Sequence, residues 1–157
     1  MSYDFNADDV FEMAEQIERN GALFYRQAAN DVADPDAKQF LLDLAAMEDD
    51  HEKTFSAMRK KLSETEKTAT VFDPAGEAAQ YLKALADTRV FFEKEIDTTS
   101  MQAILKAAIL AEKDSIVFYL GMKDLVPGEL GQSHLDNIIK EEMSHINLLS
   151  RRLIATK

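Results

Sequence analysis

The feature that most constrains this chain is a polar pattern that occurs twice, at one fixed spacing, inside segments that otherwise read as amphipathic helices. Glu48-x-x-His51 recurs as Glu142-x-x-His145, 94 residues later. Glu18-x-x-Gly21-x-x-Phe24-Tyr25 recurs as Glu112-x-x-Ser115-x-x-Phe118-Tyr119 at the same spacing of 94. Apolar positions obey it too, with Leu41 over Leu135, Leu44 over Ile138 and Phe55 over Leu149. One common offset means that the loops of the two units match in total length, so their polar sites should lie at similar heights.

Four long segments carry the repeat, at about 8–32, 36–62, 99–125 and 133–154. Their apolar residues step by three or four, the period of a helix with one buried face. Asp34-Pro35 separates the first two. Pro127-Gly128 and Gly131 separate the last two, and Ser133 is placed to cap the fourth. Between the pairs, 63–98 holds Asp73-Pro74 and a weaker helical pattern through Ala78, Leu82, Leu85, Phe91, Phe92 and Ile96. The expected architecture is all-α, a single domain over 1–157. It is a four-helix bundle made of helical hairpins 8–62 and 99–154, joined by a long crossover, 63–98, that carries an extra helix.

Each stripe is interrupted at mid-length. The second reads Phe40, Leu44, Glu48, His51, Phe55, Met58, Leu62, and the fourth Leu135, Ile138, Glu142, His145, Leu149. The first reads Phe11, Ala14, Glu18, Ala22, Tyr25, and the third Leu105, Ala108, Glu112, Ser115, Tyr119. Four carboxylates buried together without partners would cost several kcal/mol each. A pair of divalent cations balances their four charges, and i, i+3 spacing lets Glu and His on one helix face the same ion. One Glu-x-x-His arises readily by accident. Two at one offset, with two further glutamates in register, do not.

The rest of the composition narrows the function. A formal charge of -11 argues against nucleic-acid and anionic-membrane partners. The chain has no cysteine, which excludes disulfides, thiolate zinc sites and thiolate-held iron–sulfur clusters. Met1 to Val10 is acidic and lacks the apolar core of a signal peptide, and no apolar run approaches membrane-spanning length, so a cytoplasmic protein is expected.

One Glu on each of two helices and Glu-x-x-His on each of two others resembles the ferritin-like di-iron or di-manganese carboxylate proteins. The phrases Ile17-Glu18-x-x-Gly21-x-x-Phe24-Tyr25, Leu44-Ala45-x-x-Glu48-x-x-His51 and Glu112-Lys113-x-Ser115-Ile116-x-Phe118-Tyr119 are similar to the rubrerythrin branch, over nearly the whole chain. The resemblance implies two iron ions per chain, with manganese or a mixed pair using the same ligands. It makes Glu48 and Glu142 the bridges, Glu18 and Glu112 terminal ligands, and gives His51 and His145 one metal each. Tyr25 and Tyr119 are read as core packing with the hydroxyl on a polar group behind the ligands; the alternative is a hydrogen bond to a ligand carboxylate or a relay for one electron.

Two departures stand out. Rubrerythrins proper carry a four-cysteine rubredoxin module as internal electron donor, and this chain has none. They also bring a further ligand glutamate one turn along the third ligand helix, where Ile109 and Ser115 stand here. The expected activity is reduction of hydrogen peroxide or dioxygen with oxidation of Fe(II), fed by an external donor or by Fe(II) itself. Ferroxidation with iron storage or delivery, and a structural metal-binding bundle that binds a protein partner, are the alternatives. A homodimer burying the crossover is expected. His134 and Glu141, both off the ligand pattern, are read as surface residues.

Overall fold

A computed structural model describes residues 7–62, 80, 84, 98–123 and 129–156. Most of these residues lie in four helices: α1 Ala7–Asp31, α2 Pro35–Lys60, α3 Met101–Lys123 and α4 Glu129–Ala155. No strand is present among the described residues. In sequence order α1 and α2 form one packed pair and α3 and α4 another, as the repeat requires.

Local chemistry sets the helix starts. Asp34 has extended backbone (φ -69°, ψ 122°), and its side chain accepts from the Ala37 N–H at 2.9 Å. Pro35 follows in the first helical position, where its missing N–H costs nothing. Ser100 opens α3 in the same way, its Oγ accepting from the Ala103 N–H at 3.1 Å. The start of α4 differs from the sequence expectation. The helix begins at Glu129, so Gly131 and Ser133 lie within it and Ser133 is not its cap. One internal glycine costs only about 1 kcal/mol against alanine. In the crossover, Gln80 and Ala84 are helical; Ala78, Leu82, Leu85, Phe91, Phe92 and Ile96 lie outside the described residues.

The buried faces meet in one core that includes Phe11, Leu41, Leu44, Phe55, Ile104, Leu105, Phe118 and Leu149. Phe55 joins two of its helices, with ring centroids 6.4 Å from Phe11 on α1 and 5.2 Å from Tyr119 on α3. The α2 stripe is narrower than expected at its ends. Leu41 is fully buried, while Phe40, Met58 and Leu62 are half-buried at the rim. Phe40 instead carries the Arg152 guanidinium 5.0 Å above its ring, so it seals the edge of the bundle.

Ion pairs stitch the hairpins from outside. Arg59 on α2 meets Asp8 at 2.7 Å and Glu15 at 3.2 Å on α1, and Arg19 meets Glu52 at 2.7 Å. Lys123 meets Asp136 at 2.6 Å across α3 and α4. The exposed Arg19–Glu52 pair contributes little and the Arg59 pairs are half-buried at the rim, so burial of the stripes carries the fold. No helix among the described residues is long and apolar enough to cross a membrane.

Candidate metal centre

The interruptions in the four stripes converge. Glu18 from α1, Glu48 and His51 from α2, Glu112 from α3, and Glu142 and His145 from α4 are each no more than 4% exposed. Their ligand atoms form two overlapping groups. In one, atoms of Glu18, Glu48, His51 and Glu142 lie within 4.8 Å of one another. In the other, atoms of Glu48, Glu112, Glu142 and His145 do the same. Glu48 and Glu142 belong to both groups.

The imidazoles enter with Nδ1 foremost. His51 Nδ1 is 2.9 Å from Glu142 and 3.5 Å from Glu18; His145 Nδ1 is 3.2 Å from Glu142 and 3.5 Å from Glu48. The two rings stack, with centroids 5.4 Å apart and planes at 17°. These contacts are close without being aligned as hydrogen bonds. Both Nδ1 atoms, both oxygens of Glu142 and one oxygen each of Glu18, Glu48 and Glu112 are buried and have no hydrogen-bond partner. A buried polar atom left unpaired costs about 1–3 kcal/mol, more if charged. Four helices aim seven such atoms into one small volume. Hard carboxylate oxygens with two imidazole nitrogens are a donor set that suits a pair of first-row divalent metals.

Protons take up part of this charge when no cation is bound. Burial, then the charges of Glu112 and Glu142, hold the Glu48 carboxyl well above the usual range. Burial and the charges of Glu112 and Glu18 do the same to Glu142. Glu112 goes the other way: burial opposes its charge, but contacts with Glu142 and His145 and the Tyr25 hydroxyl outweigh that and bring it down to about 2. Burial also opposes a charge on His145, yet Glu112, Glu142 and Glu48 push it up to about 12. His51 is raised as well, with burial again overruled by Glu142, Glu18 and Glu48. Metal binding here must therefore expel protons.

Two tyrosines close the site crosswise. Tyr25 of the first hairpin donates to Glu112 of the second at 2.6 Å, and Tyr119 of the second donates to Glu18 of the first. Burial, then the nearby carboxylates, raises both phenols well above their ordinary range, so both keep the proton they donate. Tyr119→Phe should leave the helices intact but orphan a Glu18 oxygen, lowering metal-free stability by about 1–3 kcal/mol. Thermal melts of the metal-free variant would show it, and an unchanged melting temperature would mean that the bond contributes nothing.

Ser115 turns its hydroxyl to the Ala111 carbonyl at 3.1 Å, and Ile109 is half-buried, so neither adds a ligand. His134 is half-buried near the start of α4, apart from both groups.

A sequence profile of the rubrerythrin family matches residues 9–153. The chain belongs to the rubrerythrin family. No curated protein sequence matches it significantly. Among solved structures it is similar to a protein from Thermotoga maritima, provisionally assigned as a ferritin-like diiron-carboxylate protein. That likeness covers 98% of this chain and 97% of the other, with a TM-score of 0.75 and 21% identity, and it shows a shared ferritin-like fold. Unlike rubrerythrins that carry a rubredoxin module, this family member has no cysteine with which to build one.

One residue at the site escaped the sequence reading. Glu141 is exposed, as expected for a position off the stripe, yet its Oε2 lies 2.5 Å from His51 Nε2. The stripe reports which residues point inward, whereas Glu141 reaches across from α4 to the outer edge of an imidazole on α2. Only its place beside Glu142 hinted at this.

Proposed function

We propose that this rubrerythrin-family chain is a di-iron carboxylate oxidoreductase that reduces hydrogen peroxide or dioxygen with electrons from an external donor or from Fe(II). The observation that carries the reading is the set of seven buried ligand atoms without hydrogen-bond partners, grouped around two centres. Glu48 and Glu142, common to both groups, would bridge the ions. Glu18 and His51 would complete one position, and Glu112 and His145 the other. A bound pair of Fe(II) ions supplies one electron from each metal, the two needed to reduce a peroxide O–O bond.

The protein's own residues provide the setting. Carboxylate oxygens favour the higher charge of oxidised iron. Tyr25 and Tyr119 pin the terminal carboxylates by their hydroxyls, and Phe55 and Phe118 pack against the Tyr119 ring. These 157 residues hold no cysteine, and a separate donor or Fe(II) itself would supply the electrons.

Loading with Fe(II) without oxygen, then mixing rapidly with dioxygen and separately with peroxide, tests the reading. Oxidation of the bound iron in the first seconds, faster with peroxide, is the result expected of a peroxidase. Sustained oxidation of excess Fe(II) to a mineral would mark storage instead. Bound iron inert to both oxidants would leave a structural role and overturn the proposal.

A further inference from the structure

The two halves of the cluster match in every inward-facing metal-binding residue but differ in what braces each imidazole from outside. His51 directs Nδ1 at the carboxylates and Nε2 at Glu141, 2.5 Å away. The residue 94 positions before Glu141, and so its counterpart on the His145 side, is Met47. Both Glu141 and Met47 line the same surface cavity, about 370 Å³, onto which His51 and His145 also open. One imidazole thus has a carboxylate at its outer nitrogen, and the other faces a cavity wall where the equivalent side chain is a thioether.

We propose that Glu141 makes the two metal positions unequal, so that the position built on Glu18 and His51 fills first and holds its ion more tightly. This rests on reading the cluster as a two-metal site. A carboxylate on Nε2 fixes the ring proton there, which leaves the Nδ1 lone pair free for the ion. It also sets the ring's orientation and makes the imidazole a stronger donor. Met47 can do none of these for His145. Glu141 is therefore a positioning residue, acting on the metal only through His51.

Stepwise titration of the metal-free protein with Co(II), followed by its absorption spectrum and by paramagnetically shifted proton resonances, tests this. The wild-type protein should bind two ions in steps separated by about tenfold or more. The first step should bring up a shifted, slowly exchanging imidazole N–H. Glu141→Ala should weaken that first step by about 10–100-fold and make the N–H exchange too fast to observe. Glu141→Gln, which keeps an acceptor without the charge, should recover part of both. Because the side chain of Glu141 is 61% exposed, neither change threatens the fold. Met47→Glu should strengthen the second step and narrow the gap. Two equal wild-type steps, or a first step indifferent to Glu141→Ala, would overturn the inference while leaving the two-metal reading intact. Fewer than two ions in the wild-type protein would instead overturn the reading on which it rests.

Discussion

Glu48→Leu should abolish binding of both metal ions, whereas Glu18→Leu should remove chiefly one. Glu48 belongs to both groups of ligand atoms and Glu18 to a single group. A bridging carboxylate contributes to two ions at once, so its loss should exceed the 10–100-fold weakening typical of residues that only support a ligand. Leucine keeps the α2 stripe apolar between Leu44 and Phe55 and fills roughly the volume of the side chain it replaces. The metal-free variant should therefore be at least as stable as the metal-free wild type, because a buried carboxyl group with an unpaired oxygen has gone. Metal analysis after Fe(II) reconstitution decides the matter. If Glu48→Leu retained as much metal as Glu18→Leu, the bridging role would be wrong.

A second large effect is expected in how stability responds to pH. Glu48 and Glu142 have carboxyl pKa values raised well above 4.5 in the folded protein. Above pH 4.5 the native state then holds protons that the unfolded chain has released, and its stability falls as pH rises. His145, raised from 6.5 to about 12, contributes stability in full below pH 6.5 and loses it progressively towards 12. His51 is raised and has the same sign. Glu112, lowered from 4.5 to about 2, acts oppositely: its contribution is present above pH 4.5 and lost as pH falls towards 2. The window above pH 6.5 is thus governed by the raised groups, all of one sign, with the histidines joining the two carboxyls.

The metal-free protein should consequently melt at steadily lower temperature across that window. With metal bound, cations stand where the protons were, so the gap between the two melting curves should widen with pH. Glu142→Gln should flatten the metal-free slope by about one proton. A metal-free melting temperature that rose with pH over this range would contradict the proton assignment.

The bundle and the convergence of its six polar residues were legible because both depend on periodicity. A helix that needs one apolar face advertises each polar residue placed on it, and the repeat supplied the relative heights of the four. Tyr25 and Tyr119 were legible as core residues for the same reason. Their crosswise partners were not, since a stripe says which way a residue points and not what stands opposite. The start of α4 was misplaced because Gly131 and Ser133 read as punctuation, while the helix absorbs both at small cost. Glu141 lay beyond periodicity altogether. Its contact depends on the separation of α2 and α4, which no single helix encodes.

The crosswise hydrogen bonds have a consequence for assembly. Each group of ligand atoms draws on both hairpins: Glu18, Glu48 and His51 need Glu142, and Glu112, Glu142 and His145 need Glu48. Neither hairpin alone can build either group, and each tyrosine likewise finds its carboxylate only on the other hairpin. The centre therefore lies on the seam between two halves and comes into being when they join. An ion held there works as a clasp: it favours the closed bundle over separated hairpins without having to make any helix. By the same logic, a lone hairpin of this sequence type could assemble such a seam only by pairing with a second copy of itself, and the 94-residue repeat places the equivalent of that second copy within one chain.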